Sequence, residues 1–210
     1  QRYALPQEFI LGLGTLQPRK NFAGLVEAFG QMLARQGDGS SLEDVQLVIA
    51  GGRGWLSEDI EQAIARNGLQ ERVQIVGFVD DEDLPALYSL ARVFAFPSWY
   101  EGFGVPVLEA MACGTPVLAA DNSSLPEVVG GAGLLVDAAD TEALARALLR
   151  LLTEQDLRQR LITEGFDRAR HFSWHASAQA LLEVYERAVA RRHTHGKRAS
   201  EKRAGGWKSK

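Results

Sequence analysis

Short apolar runs alternate with helical-period segments along almost the whole chain. The runs Phe9–Gly14, Gln46–Ala50, Val73–Val76, Val93–Phe96, Val117–Ala120 and Gly133–Val136 are mostly hydrophobic throughout, and most are closed by Gly, Pro or Asp. A strand buried on both faces reads this way, whereas a half-exposed one alternates apolar and polar residues. Between and after these runs, apolar residues recur at helical spacing over Phe22–Arg35, Ser57–Asn67, Asp83–Ala91, Val105–Ala112, Thr141–Leu152, Glu154–Arg170 and Trp174–Arg192. The pattern predicts an α/β fold, a Rossmann-like parallel sheet with helices on both faces.

Punctuation supports several of these limits. Asp81 or Asp83 offers a cap for the helix through Leu84–Leu90, with Pro85 tolerated in its first turn, and Ser173 offers one for the last long helix. Gly24, Gly30 and Gly165 fall inside proposed helices, where each costs about 1 kcal/mol against Ala. Gly37 and Gly39 mark a loop over 37–41. From Arg191 the apolar period is lost, and residues 191–210 are expected to form a basic disordered tail. Residues 9–190 are then the folded domain.

At 210 residues the chain can bury a sizeable core. Its net charge of −4 argues against nucleic acid as a partner, but the charge is uneven: eight Lys/Arg and one Glu follow position 190, giving +7 there and −11 before it. Such a tail is either solvated or in weak contact with an anionic membrane surface. The single cysteine, Cys113, excludes an internal disulfide and fits a cytoplasmic location; beside Gly114 it reads as a buried structural thiol. No apolar run approaches the roughly 18–20 residues that span a bilayer. The start lacks the layout of a secretion signal.

In open α/β sheets, ligands bind beyond the carboxyl ends of the strands. The loops Gly14–Lys20, Gly51–Gly54, Gly77–Asp81, Pro97–Gly104 and Asp121–Ser124 all fall there. Gly12-Leu13-Gly14 begins like a dinucleotide fingerprint, but Gln17 stands where the third glycine belongs, and no P-loop is present. Arg19 and Lys20 end the first loop, where two cations can neutralise a diphosphate or simply lie solvated. Gly51 and Gly52 permit close backbone approach to a ligand or only make a turn, and Trp55 reads as a packing residue. After the third strand come Gly77, Phe78 and Val79, and the Val79 backbone N–H and C=O can read the edge of a base. The acids of Asp80–Asp83 suit capping and solvation better than a metal site. His171 and His175 share the i, i+4 spacing of a ligand pair, yet Ser173 should break the helix between them and no third ligand lies nearby, so no metal is expected. His193 and His195 lie in the tail and have no assigned role.

The densest signal is PSWYEGFGVPVLEAMACG, from Pro97 to Gly114. Glu101 and Glu109 bracket the turn Gly102-Phe103-Gly104, between an apolar strand and the helix from Val105. A helix start aims free N–H groups and a positive dipole end at that turn, which suits a phosphate. Glu101 then lies beside the anion and Glu109 about a turn inside the helix. Backbone for phosphate and acids for hydroxyl groups describe a nucleotide-sugar site. Two surface acids at a helix start are the plainer alternative.

EGFGVPVLE resembles the E-x7-E element of glycosyltransferase family 4, the retaining enzymes of two-domain GT-B fold. The likeness extends from Phe9 to about Ala190 through GTLQPRKN, LVIAGGRGW, VQIVGFVDDEDLPALYSLARVFAFPS and the segment FSWHASAQALLEVYERA. It implies the carboxyl-terminal, donor-binding half of such an enzyme, with residues 1–8 as a linker from an amino-terminal acceptor domain. Arg19 and Lys20 would hold the donor diphosphate, and Glu101 would touch the sugar hydroxyls; these three would carry catalysis. Phe103, Gly104 and Val105 would offer N–H groups to sugar and distal phosphate, with Gly102 in the same turn. Glu109 would bind the ribose, and Gly77, Phe78 and Val79 would line the base. Many relatives place Arg directly after Gly14, where this chain has Thr15. The GTLQPRKN form is similar to the mannosyltransferase-like branch, which makes GDP-mannose the first donor expected, with a glycan or lipid-linked acceptor and no cofactor. A non-catalytic nucleotide-sugar-binding or scaffold module, or another GT-B enzyme such as a phosphorylase or epimerase, stays open.

Overall fold

The computed structural model describes residues 2–35, 42–54 and 58–204, those from 190 onward by their backbone alone. It divides into two compact units, residues 1–170 and 171–210. The first holds six parallel strands, β1 (Phe9–Leu13), β2 (Gln46–Ala50), β3 (Val73–Gly77), β4 (Val93–Phe96), β5 (Val117–Ala120) and β6 (Leu134–Val136), in the order β3-β2-β1-β4-β5-β6. In register Ile10 faces Leu47 on one side and Val93 on the other, and Phe94 faces Val117. The pattern placed every strand within one residue of its limits.

Alternation along the strands sorts the core into two layers. Ile10, Leu47, Ile49, Val93, Ala95 and Leu118 point to the side of α1 (Phe22–Ala34), α2 (Glu58–Arg66) and α6 (Thr141–Thr153). Phe9, Leu11, Val48, Phe94, Phe96 and Ala119 point to the side of α3 (Leu84–Leu90), α4 (Val105–Ala112) and α5 (Leu125–Val129). Helices therefore cover both faces, as a two-sided apolar strand requires. α7 (Gln155–Arg170) packs Gly165 on Met111 of α4, with the atoms a Cβ would meet only 3.3 Å away. Gly24 is excused from helix propensity in the same way, because the Asn21 side chain lies 2.5 Å from where its Cβ would stand.

Three readings differ in the structure. The Asp83 carboxylate caps nothing; it accepts from Arg2 and from the Tyr3 hydroxyl at 2.8 Å. Those bonds, and Gln74 donating to the Tyr3 carbonyl, tie the described part of 1–8 to the domain. The short helix α5 had no apolar period long enough to reveal it. Lastly α8 (Trp174–Ala204), which lies in the second unit and is capped by the Ser173 hydroxyl, runs on through residues expected to be disordered. Its end is rich in Arg and Lys, good helix formers, and a helix needs only local backbone bonds. The proposed loop 37–41 and Trp55 lie outside the described residues.

Candidate nucleotide-sugar site

The strand order reverses between β1 and β4, and the loops leaving those two strands carry the predicted cations and acid. A 3-10 turn, Pro18–Lys20, follows β1 and ends at Asn21, which takes the left-handed conformation (φ 55°) and donates from its side-chain amide to the Ala138 carbonyl. That turn aims Lys20 inward. Gly14 is needed beside it, since a Cβ there would meet Lys20 Cε at 2.9 Å in a backbone conformation (φ 146°) that side chains disfavour. Gly51 is needed for a different reason: its Cβ would stand 2.0 Å from the Gly14 carbonyl oxygen. The loops are sewn together by Gly51 N–H donating to the Gly77 carbonyl at 2.7 Å and Leu16 N–H to the Gly52 carbonyl at 3.0 Å.

Lys20 Nζ donates to Glu101 Oε1 at 2.7 Å and lies 4.5 Å from the centre of the Phe96 ring. Arg19 Nη1 reaches the same oxygen at 2.9 Å and also donates to the Tyr100 carbonyl. Both cations thus meet at Oε1. The side chains of Lys20 and Glu101 are each only 10% exposed, so this is a desolvated pair with a half-exposed guanidinium beside it. Burial pulls the Lys20 ammonium below its ordinary pKa, and the Glu101 bond recovers only part of that. Burial acts on Glu101 in the raising direction, but hydrogen bonds from Lys20, Ser98 and Arg19 outweigh it and hold the carboxyl low. The Ser98 hydroxyl contributes although it is fully buried and makes no well-aligned hydrogen bond.

The loop after β5 fixes the backbone around Glu101. Glu101 N–H donates to Ser123 Oγ at 3.0 Å, and Ser124 Oγ donates to the carbonyls of Glu101 and Phe103. Two of the three described non-glycine residues at positive φ, Asn21 and Ser123, flank this cluster, and local strain of that kind gathers at functional sites. Gly104 precedes α4 at φ 106°, where a Cβ would meet Leu125 at 2.8 Å. Pro106 occupies the first turn, so α4 begins with one N–H fewer than expected.

The predicted residues fall into four groups. Arg19, Lys20, Glu101 and Gly14 converge, with Thr15 exposed at the rim. Glu109 stands apart from them on α4, exposed rather than buried, and accepts from the Tyr88 hydroxyl at 2.9 Å. Gly102, Phe103 and Val105 are exposed around the turn between the two acids. Gly51 and Gly77 line a hollow of about 250 Å³ together with Leu16, Arg53, Glu61, Ile75 and Val76. Phe78 is 70% exposed beside it, whereas the Val79 side chain enters the core. Sequence reasoning missed Ser98, Ser123, Ser124 and Tyr88. Only their place in loops already singled out, 97–104 for Ser98 and 121–124 for Ser123 and Ser124, pointed toward the serines.

Cys113 is half-buried and not fully so, with its thiol pushed upward by burial. His171 and His175 do not share a helix, because α7 ends at Arg170 and α8 begins at Trp174. Among the described residues no cluster of His, Cys, Asp and Glu is arranged to hold a metal, and no helix is long and apolar enough to cross a membrane.

Comparison with known proteins agrees with this fold. The family Glycosyl transferases group 1 matches residues 3–168. O-antigen chain mannosyltransferase B of Escherichia coli is 39% identical over 187 residues, covering 89% of this chain and 48% of that protein. Sucrose-phosphate synthase from Thermosynechococcus elongatus superposes with a TM-score of 0.76 at 33% identity, over 89% of this chain and 47% of the other. HepE of Anabaena, solved in complex with UDP and glucose, gives 0.74 at 25% identity, over 86% and 48%. The chain therefore spans just under half the length of each of these relatives. By family match, relatedness and sheet topology alike, it belongs to the glycosyl transferases group 1, with the Rossmann-like architecture of a GT-B domain.

Proposed function

We propose that this chain binds the donor of a retaining glycosyltransferase of family 4 type, a nucleoside diphosphate sugar, and serves transfer of that sugar to a glycan or lipid-linked acceptor. The observation that carries the reading is the convergence of Arg19, Lys20 and Glu101 at the sheet's switch point, beside the turn that opens α4. Two cations there neutralise a diphosphate, both in the bound donor and as negative charge grows on it during bond cleavage. Glu101, whose Oε1 takes both cations, accepts a sugar hydroxyl at its other oxygen. Glu109 accepts the ribose hydroxyls. The hollow bordered by Gly51 and Gly77 lies below the roughly 300–1,000 Å³ of a drug-sized site, so it suits one flat base and not a whole donor.

In the step so served, the bond from the sugar's anomeric carbon to the phosphate oxygen breaks. The acceptor oxygen bonds to that carbon on the same face, and its proton passes to the departing diphosphate. No metal or cofactor is required by this chemistry. The mannosyltransferase among the relatives supports GDP-mannose as the first donor to test, and HepE shows that a related fold takes UDP. Acceptor recognition and the opposite wall of the cleft belong to an amino-terminal domain. The reading places the reaction in the cytoplasm.

Calorimetric titration with GDP-, UDP- and ADP-sugars tests the proposal, alongside a transfer assay. The 210-residue chain is expected to bind one nucleotide class while transferring sugar slowly or not at all. Failure to bind any of them refutes the donor assignment, and brisk transfer refutes the division of labour.

A further inference from the structure

The helix α3 supplies this site with a residue that no motif marks. Tyr88 is 1% exposed; its ring meets Phe94 edge-on, with centroids 5.3 Å apart and planes at 81°. Its carbonyl accepts from the Thr115 hydroxyl at 2.7 Å. Ring and backbone are thus both fixed by the core, and the phenolic oxygen has little freedom of its own. From there it donates to Glu109 Oε2. Burial first, and the neighbouring Glu109 second, raise the phenol above its ordinary pKa, so it stays protonated and remains a donor. Among the described residues this is the Glu109 side chain's one hydrogen bond, on an otherwise exposed carboxylate.

We propose that Tyr88 is a positioning residue, holding the Glu109 carboxylate preset for the paired hydroxyls of the donor's ribose. The inference rests on the assignment of Glu109 to the ribose. A carboxylate offers about four lone-pair sites, and Tyr88 engages one, which leaves enough for two adjacent hydroxyl donors. An unheld glutamate has to be ordered when ligand arrives, at about 0.5–1.5 kcal/mol for a rotamer-rich side chain. The core instead orders it during folding.

The test is titration of wild type, Tyr88→Phe, Glu109→Ala and the double variant with GDP, UDP and their 2′,3′-dideoxy counterparts. Tyr88→Phe is expected to weaken binding of the preferred ribonucleotide roughly threefold to tenfold. It should leave the dideoxy compound unaffected and add nothing once Glu109 is gone. Equal weakening of both compounds means general loosening of the core and overturns the proposal. An effect of Glu109→Ala with none from Tyr88→Phe overturns the positioning role but keeps the ribose assignment. No effect of Glu109→Ala overturns both. Should Tyr88→Phe fail to fold, fluorine NMR of the 3-fluorotyrosine-labelled chain replaces it. The Tyr88 resonance should then move with the ribonucleotide and not with the dideoxy form, and an unmoved resonance contradicts the idea.

Discussion

Replacing Glu101 with alanine would strand two cations at once, one of them buried. An uncompensated buried charge of this kind costs roughly 3 kcal/mol. Lys20→Met is a milder change, because the aliphatic stem still covers Phe96 and Arg19 still pairs with Glu101; about 1 kcal/mol is expected. For ligand binding the order reverses: Lys20→Met should weaken nucleoside diphosphate affinity roughly tenfold or more, whereas Glu101→Ala should mainly impair use of the sugar nucleotide. Denaturant unfolding and titration of both variants check this, and the same ranking in both assays contradicts it. The pair also sets a pH dependence. Glu101 has its pKa lowered from 4.5 by folding, so the stability it contributes is complete above that value and is lost as pH falls through the lowered one. Lys20 has its pKa lowered from 10.5, so its contribution rises as pH climbs from the lowered value toward 10.5. Unfolding titrations of Glu101→Gln should show a flatter acid limb than wild type, with the alkaline limb still present; an unchanged acid limb argues against the pair's role. These side-chain relations were not legible in the sequence. Arg19 and Lys20 stood out as a candidate pair, but their common partner is 81 residues from Lys20, and local pattern carries no information at that range.

Among elements, the adjacent glycines after β2 separate two reasons for glycine. Gly51 sits at φ 145° with the Gly14 carbonyl where its Cβ would be, while Gly52 has open space and no left-handed backbone. Gly51→Ala is expected to cost roughly 3 kcal/mol or more and to displace the loop carrying Lys20; Gly52→Ala should be near neutral in thermal unfolding. Equal effects would mean the loop is more plastic than its geometry implies. The strands were readable as short continuous apolar runs, and the long helices by their 3.6-residue apolar period. α5 was not, being five residues with no full period to display. The last part of α8 was not either: it lacks an apolar stripe, and its charged sequence satisfies both helix propensity and the composition of a disordered tail.

At the scale of the whole molecule, the order β3-β2-β1-β4-β5-β6 puts the exits of β1 and β4 side by side, and the two clearest loops of the sequence are those exits. Fold class and the position of the candidate site were therefore legible together, since the same alternation that builds a two-faced parallel sheet also points to the strand ends where such sheets bind ligands. What the pattern could not supply was the separation of the two acids, with Glu101 turned to the β1 loop and Glu109 held by α3. The crystal structure of this chain with a bound nucleoside diphosphate tests the central claim most directly. The diphosphate should lie within hydrogen-bond distance of Arg19 and Lys20, beside the turn Gly102–Gly104, with the ribose hydroxyls on Glu109. A diphosphate bound elsewhere, or a ribose out of reach of that carboxylate, would contradict the account.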